Sequence, residues 1–268
     1  MTADLFASSD EPVLPFALPQ LPGYAVHWDE ATHVFVIDVP DGQLLYAPNF
    51  IARKISDRAV AYFLENDRLD PLHTDWSQVA ADDLAQVSFA NIQWRQDYIT
   101  MFGKTLPLPR LTSWYGDAGK SYTYSGITTH PNPWNEGLAY FKQRIEALTG
   151  LHFNSVLLNW YRNGEDHLHW HADDEAELGH NPCIASLNFG EARDFLLKRR
   201  DDGNKLCIPL SHGSLYWSSC AGHFYLRIFI LQWAHPIVGC MRPFKIVIMN
   251  ELRDFLFNSV FIHSRSVA

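Results

Sequence analysis

The chain has 268 residues, 47% of them hydrophobic and 19% charged, which supplies a sizeable core and rules out a disordered chain. Thirty acids against 21 bases give a formal net charge of −9, which argues against a protein that simply coats nucleic acid. The charge is uneven: residues 1–52 hold seven acids and no Lys or Arg, and the remaining 216 residues are close to neutral. Cys183, Cys207, Cys220 and Cys240 stand far apart with no C-x-x-C pair, as buried thiols in a reducing compartment do, and not as a zinc ribbon does. No basic-then-apolar leader opens the sequence, and no apolar run reaches the ~18 residues of a membrane span. The expectation is a monomer that is neither secreted nor membrane-bound, cytoplasmic in a bacterium or nuclear in a eukaryote.

In chain order, residues 1–43 read as a loose acidic arm, with prolines at positions 12, 15, 19 and 22 and little periodicity. From Ile51 to Asn66, apolar Ile51, Ile55, Val60, Phe63 and Leu64 fit an amphipathic helix. Residues 87–95 read as a strand, and Phe102 to Pro133, rich in Gly, Pro and Tyr, as a loop. Asn135 is placed to cap a helix that runs to Thr149 and stops at Gly150. Short apolar runs at 154–162, 183–189, 193–198, 206–210, 214–218, 226–234 and 244–249 then predict a sandwich or barrel of short strands. The class is α+β, helices first and a β core after.

The densest polar cluster is Asn159 to Glu175, with three histidines and five carboxylates in 17 residues. His171 and Asp173 stand two apart, so on an extended segment both project from one face. With a second His from elsewhere they would make a 2-His-1-carboxylate triad, which leaves positions open on Fe(II) for a bidentate co-substrate and O₂. A solvated acidic turn is the alternative for this pair alone. Asn159 and Tyr161 alternate with Val156, Leu158 and Trp160, so both would point inward, where their polar atoms need partners.

The run Asn159-x-Tyr161-x-x-Gly164-x-Asp166-x-Leu168-x-x-His171-x-Asp173-Asp174-Glu175 resembles the signature of AlkB-type Fe(II)/2-oxoglutarate dioxygenases. So do Met101-Phe102-Gly103-Lys104, Pro109-Arg110, Trp114-Tyr115-Gly116-Asp117 and Tyr122-x-Tyr124-Ser125-Gly126 upstream. Downstream, Pro182-x-Ile184-Ala185-Ser186-Leu187-Asn188-Phe189-Gly190 and His212-Gly213-Ser214-Leu215 fit as well. The match is closest to the branch that repairs double-stranded DNA. The resemblance implies a double-stranded β-helix (jelly-roll) core with N-terminal helices and a nucleotide-recognition lid at about 98–133, within a dioxygenase domain of residues 44–268. It implies Fe(II), with 2-oxoglutarate and O₂ as co-substrates. The implied reaction is hydroxylation of an N-methyl group on 1-methyladenine or 3-methylcytosine in DNA, with loss of formaldehyde.

By match to the motifs, His171, Asp173 and a distal His would bind iron, and Asn159 and Tyr161 would contact 2-oxoglutarate. Tyr122, Tyr124, Ser125, Asp174 and Glu175 would line the base pocket. Phe102 would fill the gap left by a flipped base, with Lys104 and Arg110 on the flanking phosphates. A second basic cluster, Arg193, Lys198, Arg199, Arg200 and Lys205, is expected to grip phosphates.

The pattern fades from about Tyr216. Trp233-Ala234-His235 supplies the W-x-H expected to carry the distal iron ligand, with His223 in competition. Nothing reads R-x-N-x-T-F-R, the strand whose first arginine would hold the far carboxylate of 2-oxoglutarate. Arg242 is the first arginine after His235, and position 248, six later, is Ile. Either the last strands have diverged with Arg242 as substitute, or the tail is altered. Three functions stay open: a DNA demethylase, a catalytically dead DNA-binding relative, or a related dioxygenase acting on RNA or protein.

Overall fold

The computed structural model describes residues 12–40, 42–76, 78–101, 103–119, 122–124, 127–171, 183–218, 224–228 and 244–249. Its first three strands, β1 (Ala25–Asp29), β2 (Val34–Val39) and β3 (Gly42–Ala47), form an antiparallel meander. This corrects the reading of residues 1–43 as a loose arm. Val34, Phe35, Ile37 and Val39 are all buried, because β2 lies between two neighbours and is covered on both faces. Asp29, counted with the arm's acids, shapes the β1–β2 turn by accepting from the Ala31 N–H at 3.0 Å and the Thr32 hydroxyl at 2.7 Å.

Helix α1 (Arg53–Leu64) falls where the apolar spacing predicts. It buries Ala59, Val60, Phe63 and Leu64, while Ile55 is left half-exposed. A short α2 (Ala81–Leu84) follows. The strand expected at 87–95 is displaced to β4 (Arg95–Met101), which turns at Gly103 (φ +74°) into β5 (Lys104–Gly116). The first part of the expected loop from Phe102 is therefore the longest strand described, 13 residues. Pro107 and Pro109 suggested otherwise. They are tolerated because β5 meets its second neighbour only from Leu111 onward, so the prolines lie on a stretch with one partner. A two-stranded ribbon of β6 (Tyr122–Tyr124) and β7 (Ile127–Thr129) comes next, then β8 (Asn132–Pro133) beside β5.

Helix α3 (Glu136–Thr149) has the predicted ends. The Asn135 side chain accepts from the Leu138 N–H at 2.9 Å, and Gly150 adopts a left-handed conformation (φ 69°) as its N–H reaches the Glu146 carbonyl. Eight more strands follow among the described residues: β9 (Ser155–Trp160), β10 (Leu168–His171), β11 (Ile184–Phe189), β12 (Arg193–Arg199), β13 (Lys205–Leu210), β14 (Leu215–Ser218), β15 (Phe224–Ile228) and β16 (Phe244–Met249). They fall into two antiparallel sets of four, ordered β14-β11-β16-β9 and β10-β15-β12-β13. That is the double-stranded β-helix arrangement. The first set is extended by β3, β2 and β1 at one edge and by β5 and β4 at the other. The described parts of the tail thus occupy both sheets: β15 joins β10 to β12, and β16 joins β11 to β9.

The larger sheet separates two cores. Its outer face packs on α1 and α3 through Phe63, Phe141, Phe153, Val156, Leu158, Trp160 and Phe189. Its inner face meets the smaller sheet through Phe35, Ile37, Leu44, Tyr46, Tyr161, Phe195, Leu197, Ile208 and Tyr216. One turn ties the helical layer to the jelly roll. Gly213 has φ +78°, and a Cβ there would come 2.5 Å from the Ile51 carbonyl, so only glycine fits. Its neighbour His212 accepts from the Gly190 N–H at 2.7 Å on Nδ1 and meets Asp57 at 3.1 Å on Nε2. No helix among the described residues is long and apolar enough to cross a membrane.

Candidate active site

Strand β9 sets the site by alternation. Val156, Leu158 and Trp160 face the helices, so Asn159 and Tyr161 face the space between the sheets. Asn159 is 3% exposed and Tyr161 is 1% exposed. The register pairs Thr112 of β5 with Asn159 and Leu111 with Trp160, which brings Arg110 to the level of Tyr161. Arg110 is 5% exposed. Asn159 Oδ1, Tyr161 OH and Arg110 Nε have no hydrogen-bond partner among the described residues. Three such atoms, on β5, on β9 and one residue past its end, are an exception to the rule that buried polar groups are paired.

Charged neighbours surround the trio. The Arg193 guanidinium lies 4.8 Å from the centre of the Tyr161 ring and donates to the carbonyls of Asp166 and Asn163, each at 3.0 Å. Asp166 is buried and paired with Arg162, whose Nε approaches to 2.7 Å. The Arg162 Nη1 donates in turn to Gln96 Oε1 at 3.1 Å. Burial pushes the Tyr161 phenol up to about 12, against the pull of Arg110 and Arg193. Burial likewise lowers Arg110 and brings Arg193 down to about 10.

The segment from Tyr161 to β10 is a tight turn. Asn163 Oδ1 accepts from the Glu165 and Asp166 N–H groups at 2.9 and 3.1 Å, and the His167 N–H reaches the Pro109 carbonyl at 3.0 Å. The chain then enters β10, where His171 pairs with Leu226 of β15. The backbone of His171 is thereby fixed at the end of the smaller sheet. Asp173, His235, its competitor His223, Arg242, Phe102, Ser125, Asp174 and Glu175 lie outside the described residues. Tyr122 and Tyr124 occupy alternate positions of β6, paired with Thr129 and Ile127.

Two expectations are corrected by burial. Arg110 sits inside, on a strand and not on a lid surface, so it does not reach flanking phosphates as expected. In the basic cluster, Arg193 is spent on two carbonyls and on the Tyr161 ring. Arg199 is 9% exposed and pairs with Asp201 at 2.9 Å and Asp202 at 3.8 Å. Lys198, Arg200 and Lys205 lie at the end of the β12–β13 hairpin. Lys104 is exposed, one residue past the Gly103 turn. Near that turn Tyr98 is 62% and Leu106 45% exposed. Sequence reasoning missed the roles of Asp166 and Gln96. The Arg162-to-Asp166 spacing of four was a usable signal; Gln96 offered none.

The profile of the "2OG-Fe(II) oxygenase superfamily" matches residues 70–221, more than half of the chain. The chain belongs to this superfamily. Within it, the chain is of the AlkB type. It is 42% identical over 145 residues to "Alpha-ketoglutarate-dependent dioxygenase alkB homolog 3" of Homo sapiens, covering 50% of each chain. It is 42% identical over 125 residues to "DNA oxidative demethylase ALKBH2" of Homo sapiens, covering 44% of this chain and 48% of that one. For the Bos taurus ALKBH2 the identity is 36% over 163 residues, covering 55% and 59%. The chain thus spans about half the length of these relatives. The profile match ends at residue 221, close to where the sequence pattern fades. Strand β16, between β11 and β9, contains no arginine; its one basic residue, Lys245, takes the register position between Asn188 and Asn159.

The superfamily implies Fe(II) and 2-oxoglutarate, and the inner face fits such a guest. A dicarboxylate offers acceptors for the Arg110 and Tyr161 donors that the described protein leaves unused.

Proposed function

We propose that this protein demethylates N-alkylated bases in DNA oxidatively, using Fe(II), 2-oxoglutarate and O₂. The observation that carries this reading is the 42% identity to a DNA oxidative demethylase, joined to an inner face lined by unpartnered polar atoms. His171, Asp173 and His235 would hold the iron, and Asn159 and Tyr161 would orient 2-oxoglutarate. Bound iron would supply the oxidising chemistry. The chain's own part is to exclude water and fix geometry: Asn159 and Tyr161 are buried, and the Arg193 guanidinium packs over the Tyr161 ring.

On the outer side, Phe102 would follow the β4 strand into the stack, Lys104 would meet phosphate, and Tyr122 and Tyr124 with Ser125, Asp174 and Glu175 would hold the flipped base. The exposed Tyr98 and Leu106 flank that hairpin and suit an apolar wedge. The test is a duplex carrying 1-methyladenine, incubated with Fe(II) and 2-oxoglutarate. Succinate, formaldehyde and the restored base should appear together, and His171→Ala and Asp173→Ala should each abolish them. Absence of all three products from the wild-type reaction would reject the reading.

A second reading, a DNA-binding relative with impaired turnover, is favoured by the absence of arginine from β16. It predicts bound iron and DNA affinity without succinate release.

A further inference from the structure

A buried guanidinium ordinarily meets a carboxylate, because its charge has lost its water. Arg110 is the exception here. It is 5% exposed, its Nε has no partner among the described residues, and no ion pair involves it there. The carboxylates nearest in electrostatic reach are Asp97 and Asp166. Both are already engaged: Asp97 by Arg95 at 3.0 Å and by the Thr112 hydroxyl, Asp166 by Arg162. Arg193 is also near, yet its donors go to two backbone carbonyls. Among the described residues Arg110 is therefore the buried guanidinium at this site that makes no ion pair and leaves its Nε donor over. Beside it stand Tyr161 OH and Asn159 Oδ1, also without a hydrogen-bond partner among the described residues. A guanidinium and a phenol, both buried and both short of acceptors, describe a site for a carboxylate.

An α-keto acid that chelates a metal through its keto-carboxylate end leaves its far carboxylate for the protein to anchor. The strand expected to supply that anchor, β16, has no arginine. We propose that Arg110, from β5, takes the far carboxylate of 2-oxoglutarate in this chain. This rests on the reading of the chamber as a 2-oxoglutarate site and assigns its missing cation.

The test compares 2-oxoglutarate with 2-oxovalerate, the same keto acid without the far carboxylate, titrated into the full-length Mn(II)-loaded protein and read by tryptophan fluorescence. Wild type should prefer 2-oxoglutarate by roughly 10- to 100-fold, as charge-assisted pairing implies. Arg110→Met should lose that preference while binding 2-oxovalerate as before. Its melting point should hold or rise, since an apolar chain replaces an unpaired buried cation. Lys245→Met should keep the preference. A preference retained in Arg110→Met, or lost in Lys245→Met instead, would overturn the assignment while leaving the 2-oxoglutarate site standing. No preference in the wild type would overturn both.

Discussion

The two faces of strand β9 belong to different kinds of interior. Toward the helices, Trp160 is fully buried against Trp76, Phe89 and Trp94, with ring centres 5.0, 5.8 and 5.6 Å away. Toward the smaller sheet, one residue on either side, Asn159 and Tyr161 are as deeply buried but leave polar atoms without partners. Equal burial therefore means different things. The first face gains stability by filling space with rings, and a polar atom left there without a hydrogen bond among the described residues, the Trp76 indole Nε1, is closed in by those rings. The second gives up some stability by desolvating groups that a guest can satisfy, which is the usual signature of a functional surface inside a fold.

The largest effect should come from breaking the outer face. Trp160→Ala should cost about 3–5 kcal/mol, read as a fall in the urea midpoint, because the surrounding rings cannot all collapse into the space. Asn159→Ala, its neighbour on the inner face, should change stability by less than ~1 kcal/mol yet weaken 2-oxoglutarate binding about tenfold. If the two variants are equally destabilised, the faces do not differ as described. A smaller effect is expected at the cap of the helix that covers the outer face. Asn135→Ala should cost about 1 kcal/mol in thermal unfolding, with 2-oxoglutarate affinity unchanged.

The last contrast is one of pH. Tyr161 is pushed up to about 12 in the fold, from 10. An acid whose pKa is raised on folding keeps its proton longer in the folded state. Its stabilising share is present in full below pH 10 and is lost as the pH rises from 10 toward about 12. Tyr161→Phe should flatten the fall in stability across that window, and parallel curves for the two proteins would contradict the burial of the phenol.

Legibility in the sequence followed locality. The α3 boundaries were readable because Asn135 and Gly150 act on groups within four residues of themselves. The jelly-roll strands were readable as short apolar runs, and the inward pair Asn159 and Tyr161 as a two-residue alternation. The N-terminal meander was not, because the prolines at 12 to 22 and the acids around it suggested an arm, while the burial of β2 depends on β3 and the jelly roll beyond it. Strand β5 was hidden by Pro107 and Pro109, whose tolerance depends on where β9 begins to pair. With β5 unseen, Arg110 read as a loop cation for phosphate. Its burial beside Tyr161 follows from strand register, which no stretch of sequence around residue 110 contains.

The most direct test of the inner face as a ligand chamber is calorimetric titration of 2-oxoglutarate into the Mn(II)-loaded protein, run beside Tyr161→Phe. One site per chain in the wild type, with affinity clearly reduced in the variant, is the result expected. No binding, or equal binding by both proteins, would contradict it.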